Sequence, residues 1–487
     1  MVASAVSGGI SLQCCSGQIP FRAHRSLRCA PGKRSRFLLQ SSGSDAEKLT
    51  SWAEERKLDL SGVRIAQQDG AVEPVLLAAR AAPAGEAIFS LSEQQWISQQ
   101  SVKDSEIGSK VKNLPVWLQV TLFLVFEKAL GTRSKWANYI QAMSAQTLSP
   151  IYWPEEDRKL LENTQLLQSL EGYEEYFRQE FEELQQGLFE KHPYSFTLCT
   201  LESFRWAALT VRGRSHPPLE GSALALTPVA DLVRHSRSGS VEASISTKRG
   251  IGSSQKLLRL SAARNLQEGE VLTMDYAPDK LDNQLLLDHG VLDEANPGGG
   301  YLLALSMDPD DPNCDDKLDI LDVNQLEQSP QFPLRARQSP GRQPGLLGFL
   351  RLLNCSGADA FLLEALFRTE VWGFMQQPVS EDNERAVCDS MILGCKEALA
   401  AYPTSIDQDL ELLRDSDAAP TGSAARAAIT IRMGEKEGLE TAMRYFEDRK
   451  TKLKQLEYYQ ERRLKNLGLL DDDGETTWDG FFEDSMF

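Results

Sequence analysis

Three short segments of this chain set polar side chains inside otherwise apolar runs: Arg212-Gly213-Arg214, Asp231-Leu232-Val233-Arg234-His235-Ser236, and Asp275-Tyr276. Arginine, carboxylate, imidazole and phenol are the side chains from which binding and proton-handling sites are built. Singly, each has an ordinary reading. Arginines at a helix C-terminus answer the dipole, a lone histidine is commonly a hydrogen-bonded core or surface residue, and a strand tyrosine is commonly half-buried. Their order is more informative, because a Gly-Glu turn precedes each outer apolar run, Gly85-Glu86 before 87–91 and Gly269-Glu270 before 271–276. No Gly-rich phosphate loop follows a strand. The 8 Cys are too sparse and irregular in spacing for a zinc cluster or a disulfide scaffold.

The elements that must position these segments change in character along the chain. Residues 49–58 read as a short amphipathic helix. Residues 72–91 read as strand, turn and strand, with Val75-Leu76-Leu77, then Pro83-Ala84-Gly85-Glu86, then Ala87-Ile88-Phe89-Ser90-Leu91. Residues 110–212 carry helical spacing and end at the Arg-Gly-Arg segment. Short runs follow: 224–226, 228–233, a Ser/Gly/Arg-rich loop at 236–255, 257–260 and 271–276. This pattern predicts a small all-β core rather than a doubly wound sheet. The Asp/Pro/Asn-rich stretch 308–316 reads as a linker, and 345–467 as almost wholly helical. Its last helix, 436–467, would span roughly 48 Å at about 1.5 Å per residue. The overall class is α+β, a β-rich core with a helical insert at about 100–200 followed by an all-α domain. Cys388 and Cys395, seven apart, share a helix face and read as core packing.

Length and charge bound the function. A chain of 487 residues exceeds one ordinary hydrophobic core. No apolar run reaches the roughly 18 residues of a membrane-spanning helix. With 52 Lys+Arg against 70 Asp+Glu and no basic block, the chain is poorly suited to a phosphate backbone, so neither nucleic acid nor membrane is an expected partner. The charge is uneven. Residues 1–44 hold six cations, many Ser and no acid, the composition of an organelle transit peptide. Without those six the formal charge of −18 becomes −24. The tail 471–487 is acid-rich and expected to be disordered.

The motif order resembles the SET-domain protein lysine methyltransferases. Residues 83–89 resemble the family's opening hairpin, Val-Ala-Asp-Leu-Val-Arg-His-Ser (229–236) its D-L-x-N-H-S motif, and Glu-Gly-Glu-Val-Leu-Thr-Met-Asp-Tyr (268–276) its catalytic-tyrosine strand. Segments 282–290, 315–319, 359–364 and 457–464 are similar to the plastid Rubisco large-subunit lysine methyltransferase family of plants and algae. The resemblance spans roughly 48–470.

It implies a pseudoknotted SET domain at 45–305 and a helical substrate-binding domain at 310–470. It also implies S-adenosyl-L-methionine as cofactor, no metal, and a chloroplast stromal location. Rubisco large subunit or fructose-bisphosphate aldolase is the implied protein partner, and a monomer the expected assembly. By motif matching, Tyr276 is the catalytic residue. The stretch Val72-Glu73-Pro74, with Arg214, Arg234 and His235, would line the cofactor pocket, while Arg214, Asp231, Tyr276 and His289 would face the substrate.

The chain departs from the family pattern in several places. Arg234 replaces an Asn, placing a donor-only cation beside His235 and, if turned inward, near the positive sulfonium. Val72-Glu73-Pro74-Val75 replaces E-G-L-G, with loss of both glycines. Gly213 replaces a Ser, Pro218 an Arg, and His289 and Ser246 two substrate-side tyrosines. A second reading is therefore a non-catalytic module that keeps the docking helices. A third is a methyltransferase for another plastid or histone substrate.

Overall fold

The computed structural model describes residues 45–68, 73–143, 149–215, 224–250, 253–295 and 297–469. The expected transit segment 1–44, the tail 471–487 and Val72 lie outside them. The described chain divides into two units, one of residues 45–156 and 169–297, the other of 157–168 and 298–469. The division at 297/298 falls ahead of the 305–310 boundary that the family resemblance implies. The reason is the strand Gly300–Ala304, which pairs antiparallel with Gln331–Arg335 and so commits the chain to the second unit early. The stretch read as a linker is also structured. Asp311 accepts from the buried Lys317 ammonium at 2.5 Å, and the helix Cys314–Val323 begins within it.

In the first unit, helices carry short strands. The opening helix Asp45–Glu55 buries Leu49, Trp52 and Ala53. The two apolar runs at 75–91 do form strands, but not one hairpin. Val75–Ala78 pairs with Val63–Ala66, and Ala87–Ser92 pairs with Ser253–Ala262. The turn between them needs Gly85, whose φ of 83° suits a residue without a Cβ. The Ser/Gly/Arg-rich stretch read as a loop is largely a β-ribbon. Val241–Gly250 pairs with Ser253–Ala262 along its whole length, with Val241, Ala243 and Ile245 alternating against polar neighbours. Residues 228–233 contain a 3₁₀ turn, Ala230–Leu232, rather than a strand.

The helix Leu201–Arg214 is fixed at its start by Thr200, whose hydroxyl accepts from the Ser203 amide at 3.1 Å while the Ser203 hydroxyl accepts from the Thr200 amide at 2.9 Å. Its last turn delivers Arg212 and Arg214. The helix Asp282–His289 closes on Gly290 in the left-handed region.

The second unit is built on the helices Glu381–Ala401 and Ala424–Thr451, with a core that includes Leu303, Leu334, Leu350, Met391, Leu439 and Phe446. The continuous helix expected over 436–467 is broken. The long helix starts earlier and stops at Thr451, and a separate helix spans Tyr459–Asn466. Leu453 is buried at the break, and the Tyr459 amide donates to the Val379 carbonyl at 3.1 Å, so the chain turns to reach it. Cys388 and Cys395 are buried in the core, and burial pushes their thiols up to about 11 and about 12, which leaves them unreactive.

Glycine permits a close approach to main chain in this unit. A Cβ on Gly438 would stand 2.3 Å from the Leu334 carbonyl oxygen. Gly438→Ala is therefore expected to destabilise the second unit by about 1–3 kcal/mol, measured as a lower urea midpoint. Gly373→Ala, at an open helical position, should not.

Candidate active site

A two-strand parallel contact joins two of the three polar segments. Arg234–His235 runs alongside Thr273–Met274, with Arg234 opposite Thr273 and His235 opposite Met274. Main-chain bonds lock this register, Arg234 N–H to Leu272 O and Ser236 N–H to Met274 O, each at 3.0 Å. Tyr276 emerges just beyond. Its amide donates to Nδ1 of His235 at 3.3 Å, and its hydroxyl donates to the Val233 carbonyl at 2.6 Å. The ring is 8 % exposed and sits between two imidazoles, with centroids 5.1 Å from His235 and 5.3 Å from His289.

Burial, together with Asp231 and Glu73, pushes the Tyr276 hydroxyl well above its usual range against the opposing pull of Arg214. At neutral pH it is a phenol, able to donate and to accept.

The third segment supplies Arg214 from the end of its helix. Burial opposes its charge, but the Glu73 carboxylate at 2.7 Å and Asp231 at 3.2 Å hold it firmly protonated. Asp231 is itself buried, which raises its carboxyl above the usual range despite Arg214 and the Tyr139 hydroxyl, which donates to it at 2.6 Å. Just before it in the chain, Val229 adopts a φ of 73°, a strained geometry for a β-branched residue and one that concentrates near functional sites.

His289 Nδ1 lies 3.0 Å from the Gly213 carbonyl, which can only accept, so Nδ1 carries the proton and Nε2 the lone pair. Burial first and Lys280 second push this imidazole down to about 4.

The structure thus brings Glu73, Arg214, Asp231, His235, Tyr276 and His289 together. Pro74 is buried next to Glu73. Arg234 is adjacent in sequence but its side chain is exposed, because alternation along the strand turns it away from His235. Its charge still acts on Tyr276. Ser246 is exposed.

Three positions were not singled out in the sequence: Tyr139, Lys280 and Asp288. Tyr139 carried no signal, being one aromatic in a helical run, held now by a stacked Trp52 at 5.7 Å. Asp288 did carry one. An acid in the last turn of a helix opposes the dipole and implies cations nearby, and Arg212 and Lys280 are those cations, at 2.6 and 2.7 Å.

Comparison with known proteins agrees with this arrangement. Residues 308–439 match the family model described as Rubisco LSMT substrate-binding. Over 80% of its length and 80% of the relative's, the chain is 36% identical to the chloroplastic ribulose-1,5 bisphosphate carboxylase/oxygenase large subunit N-methyltransferase of Pisum sativum. It is 34% identical, over 82% of both chains, to the chloroplastic [fructose-bisphosphate aldolase]-lysine N-methyltransferase of Arabidopsis thaliana. Among solved structures, the SET domain of LSMT bound to lysine and AdoHcy superposes with a TM-score of 0.79 at 33% identity, covering 91% of this chain and 99% of that one. Rubisco LSMT bound to AdoMet superposes with a TM-score of 0.76 at 33% identity, over 89% and 98%. The chain belongs to the SET-domain family of Rubisco large-subunit-type protein-lysine N-methyltransferases, which are S-adenosylmethionine-dependent enzymes.

Proposed function

We propose that this chain methylates lysine on a plastid stromal protein, the Rubisco large subunit or fructose-bisphosphate aldolase, acting as a monomer around Tyr276. The observation that carries the reading is the buried, neutral Tyr276 hydroxyl, walled by His235 and His289 and backed by the Glu73–Arg214–Asp231 ion cluster. The substrates are those of relatives at 36% and 34% identity, and the plastid location is taken from their chloroplastic names.

Whether the chain's own residues suit the cofactor can be judged at His235. Its Nδ1 is taken by the Tyr276 amide, so the neutral ring carries its proton on Nε2. That buried donor has no acceptor among the described residues, and the side chain is 1 % exposed. A polar ligand lying beside it meets the need. Glu73-Pro74, His235 and Arg214 are the residues proposed to hold S-adenosylmethionine, with Arg234 contributing its main chain and not its outward-turned side chain; the cofactor supplies an electrophilic methyl on a sulfonium, from which a neutral thioether departs.

The remaining work falls to the chain. A lysine ammonium has a pKa near 10.4, and only its neutral form can attack. Asp231, His289 and Tyr276 would bound the path by which it enters. Burial along that path strips water from the amine and lowers its pKa. The Tyr276 ring and hydroxyl then orient the lone pair toward the methyl, which turns a bimolecular encounter into an aligned one.

The expected result is methyl-sized mass increments on lysine when the chain and S-adenosylmethionine are incubated separately with purified Rubisco and with aldolase. If neither accepts methyl groups while another stromal protein does, the substrate assignment fails. If no lysine in any stromal protein does, the proposed activity fails with it.

A further inference from the structure

Asp288 anchors a chain of charges that ends on the wall of the site. Its Oδ1 accepts from Arg212 Nε at 2.6 Å and its Oδ2 from Lys280 Nζ at 2.7 Å. The Arg212 guanidinium lies over the Tyr173 ring, 4.4 Å from its centroid. The Lys280 ammonium also faces Nε2 of His289 at 3.4 Å. The groups around His289 include Lys280, Asp288, Arg212, the Gly213 carbonyl and the Tyr276 ring.

An ammonium has donors and no acceptor, so toward Lys280 the imidazole can only accept. Nδ1–H is spent on Gly213, which leaves both ring nitrogens engaged and the ring orientation fixed against Tyr276.

This matters for an amine that must react uncharged. An unengaged Nε2 beside Tyr276 would accept a hydrogen bond from the arriving ammonium and so favour its charged, unreactive form. A protonated imidazole would repel the ammonium outright. With Lys280 on Nε2, neither state is offered.

We propose that Lys280 is a positioning residue for methyl transfer: anchored on Asp288, its ammonium occupies Nε2 of His289 and keeps that imidazole a neutral, oriented wall beside Tyr276, unable to bind the substrate amine in its charged form. The proposal rests on the reading of Tyr276 as the centre of the site.

The test is the titration of His289 in the full chain, followed by NMR of labelled histidine. There are only 5 histidines, and a His289→Phe spectrum assigns the signal. In the unsubstituted chain the His289 signal should stay that of a neutral ring down to about pH 5. In Lys280→Met its midpoint should rise by about one unit or more, because a like charge is removed and Asp288 keeps Arg212 alone as its counter-ion. Lys280→Arg should restore the low midpoint.

The pH dependence of kcat should change in step. Lys280→Met gains an acidic limb that Lys280→Arg lacks and that vanishes when His289 is also Phe. A His289 midpoint unchanged by Lys280→Met would overturn the proposal, as would a uniform loss of kcat at every pH. If Lys280→Met does not fold, Lys280→Gln, which also removes the charge, takes its place and must raise the midpoint in the same way, and an ordinary midpoint near 6.5 in the unsubstituted chain overturns the proposal just as well. The NMR readout needs no turnover, so a failure of the methyltransferase reading itself would be seen separately, as absence of product with every protein offered.

Discussion

Tyr276→Phe is expected to lower kcat by on the order of 10²–10³-fold and to leave S-adenosylmethionine affinity within a few-fold. The substitution keeps the ring, its volume and its contacts with His235 and His289, and removes only the hydroxyl that donates to Val233 O at 2.6 Å. Loss of one such bond costs the fold about 1 kcal/mol, too little to unfold a unit of this size. What disappears is the oriented dipole at the point where the amine and methyl are to meet. Because burial holds this hydroxyl far above neutrality, it is not the base that takes the amine proton. The pH profile of the residual activity should therefore keep its shape while its height falls. Single-turnover rates and calorimetric cofactor binding separate the two effects. An unchanged rate would remove Tyr276 from the role assigned to it.

The largest stability effect is expected at Arg214. Arg214→Leu leaves the Glu73 and Asp231 carboxylates facing each other without their shared cation, and Asp231 is inaccessible to water. Removing one partner of a buried ionic cluster costs about 3–5 kcal/mol. By contrast, Arg178, which pairs with Glu175 and Glu182 on an exposed helix face, should be worth about 0–1 kcal/mol.

The pH dependence of the loss has a definite sign. Burial already raises the Asp231 carboxyl, and the arginine is the largest influence pulling it back. Without that arginine the folded-state value rises further above the unfolded one. A group raised on folding lends its stability below the unfolded pKa and loses it as pH increases. The deficit of the variant should be smallest in mild acid and grow toward neutrality, as read from urea midpoints at pH 5 and pH 8. A deficit independent of pH would mean that Asp231 is not the group left exposed to repulsion.

Much of the site was legible because its residues interrupt apolar runs. Arg214, Asp231, His235 and Tyr276 stand out in that way, and the Gly-Glu turns marked where the outer strands begin. The parallel contact that unites them was not legible, because strands of two residues, Arg234–His235 and Thr273–Met274, have no period to detect. The ribbon of Val241–Gly250 and Ser253–Ala262 was hidden for a different reason: its alternation is carried by Ser, Thr and Arg as much as by Val, Ile and Leu. The break near 452–458 was missed because apolar spacing continues across it, while the turn is imposed by Val379, far away in sequence.

Arg234 shows how position and orientation differ. Sequence put it next to His235 and raised the prospect of a cation against the sulfonium. Strand geometry exposes its side chain, which removes the main ground for reading the chain as a non-catalytic module.

The most direct test uses S-adenosylmethionine with an isotopically labelled methyl group, incubated with the full chain and plastid stromal protein, followed by identification of the labelled atom in the product by mass spectrometry. The account predicts label on the ε-nitrogen of lysine, abolished or reduced on the order of 10²-fold or more by Tyr276→Phe. Label on another side chain, or lysine labelling that Tyr276→Phe leaves intact, would contradict it.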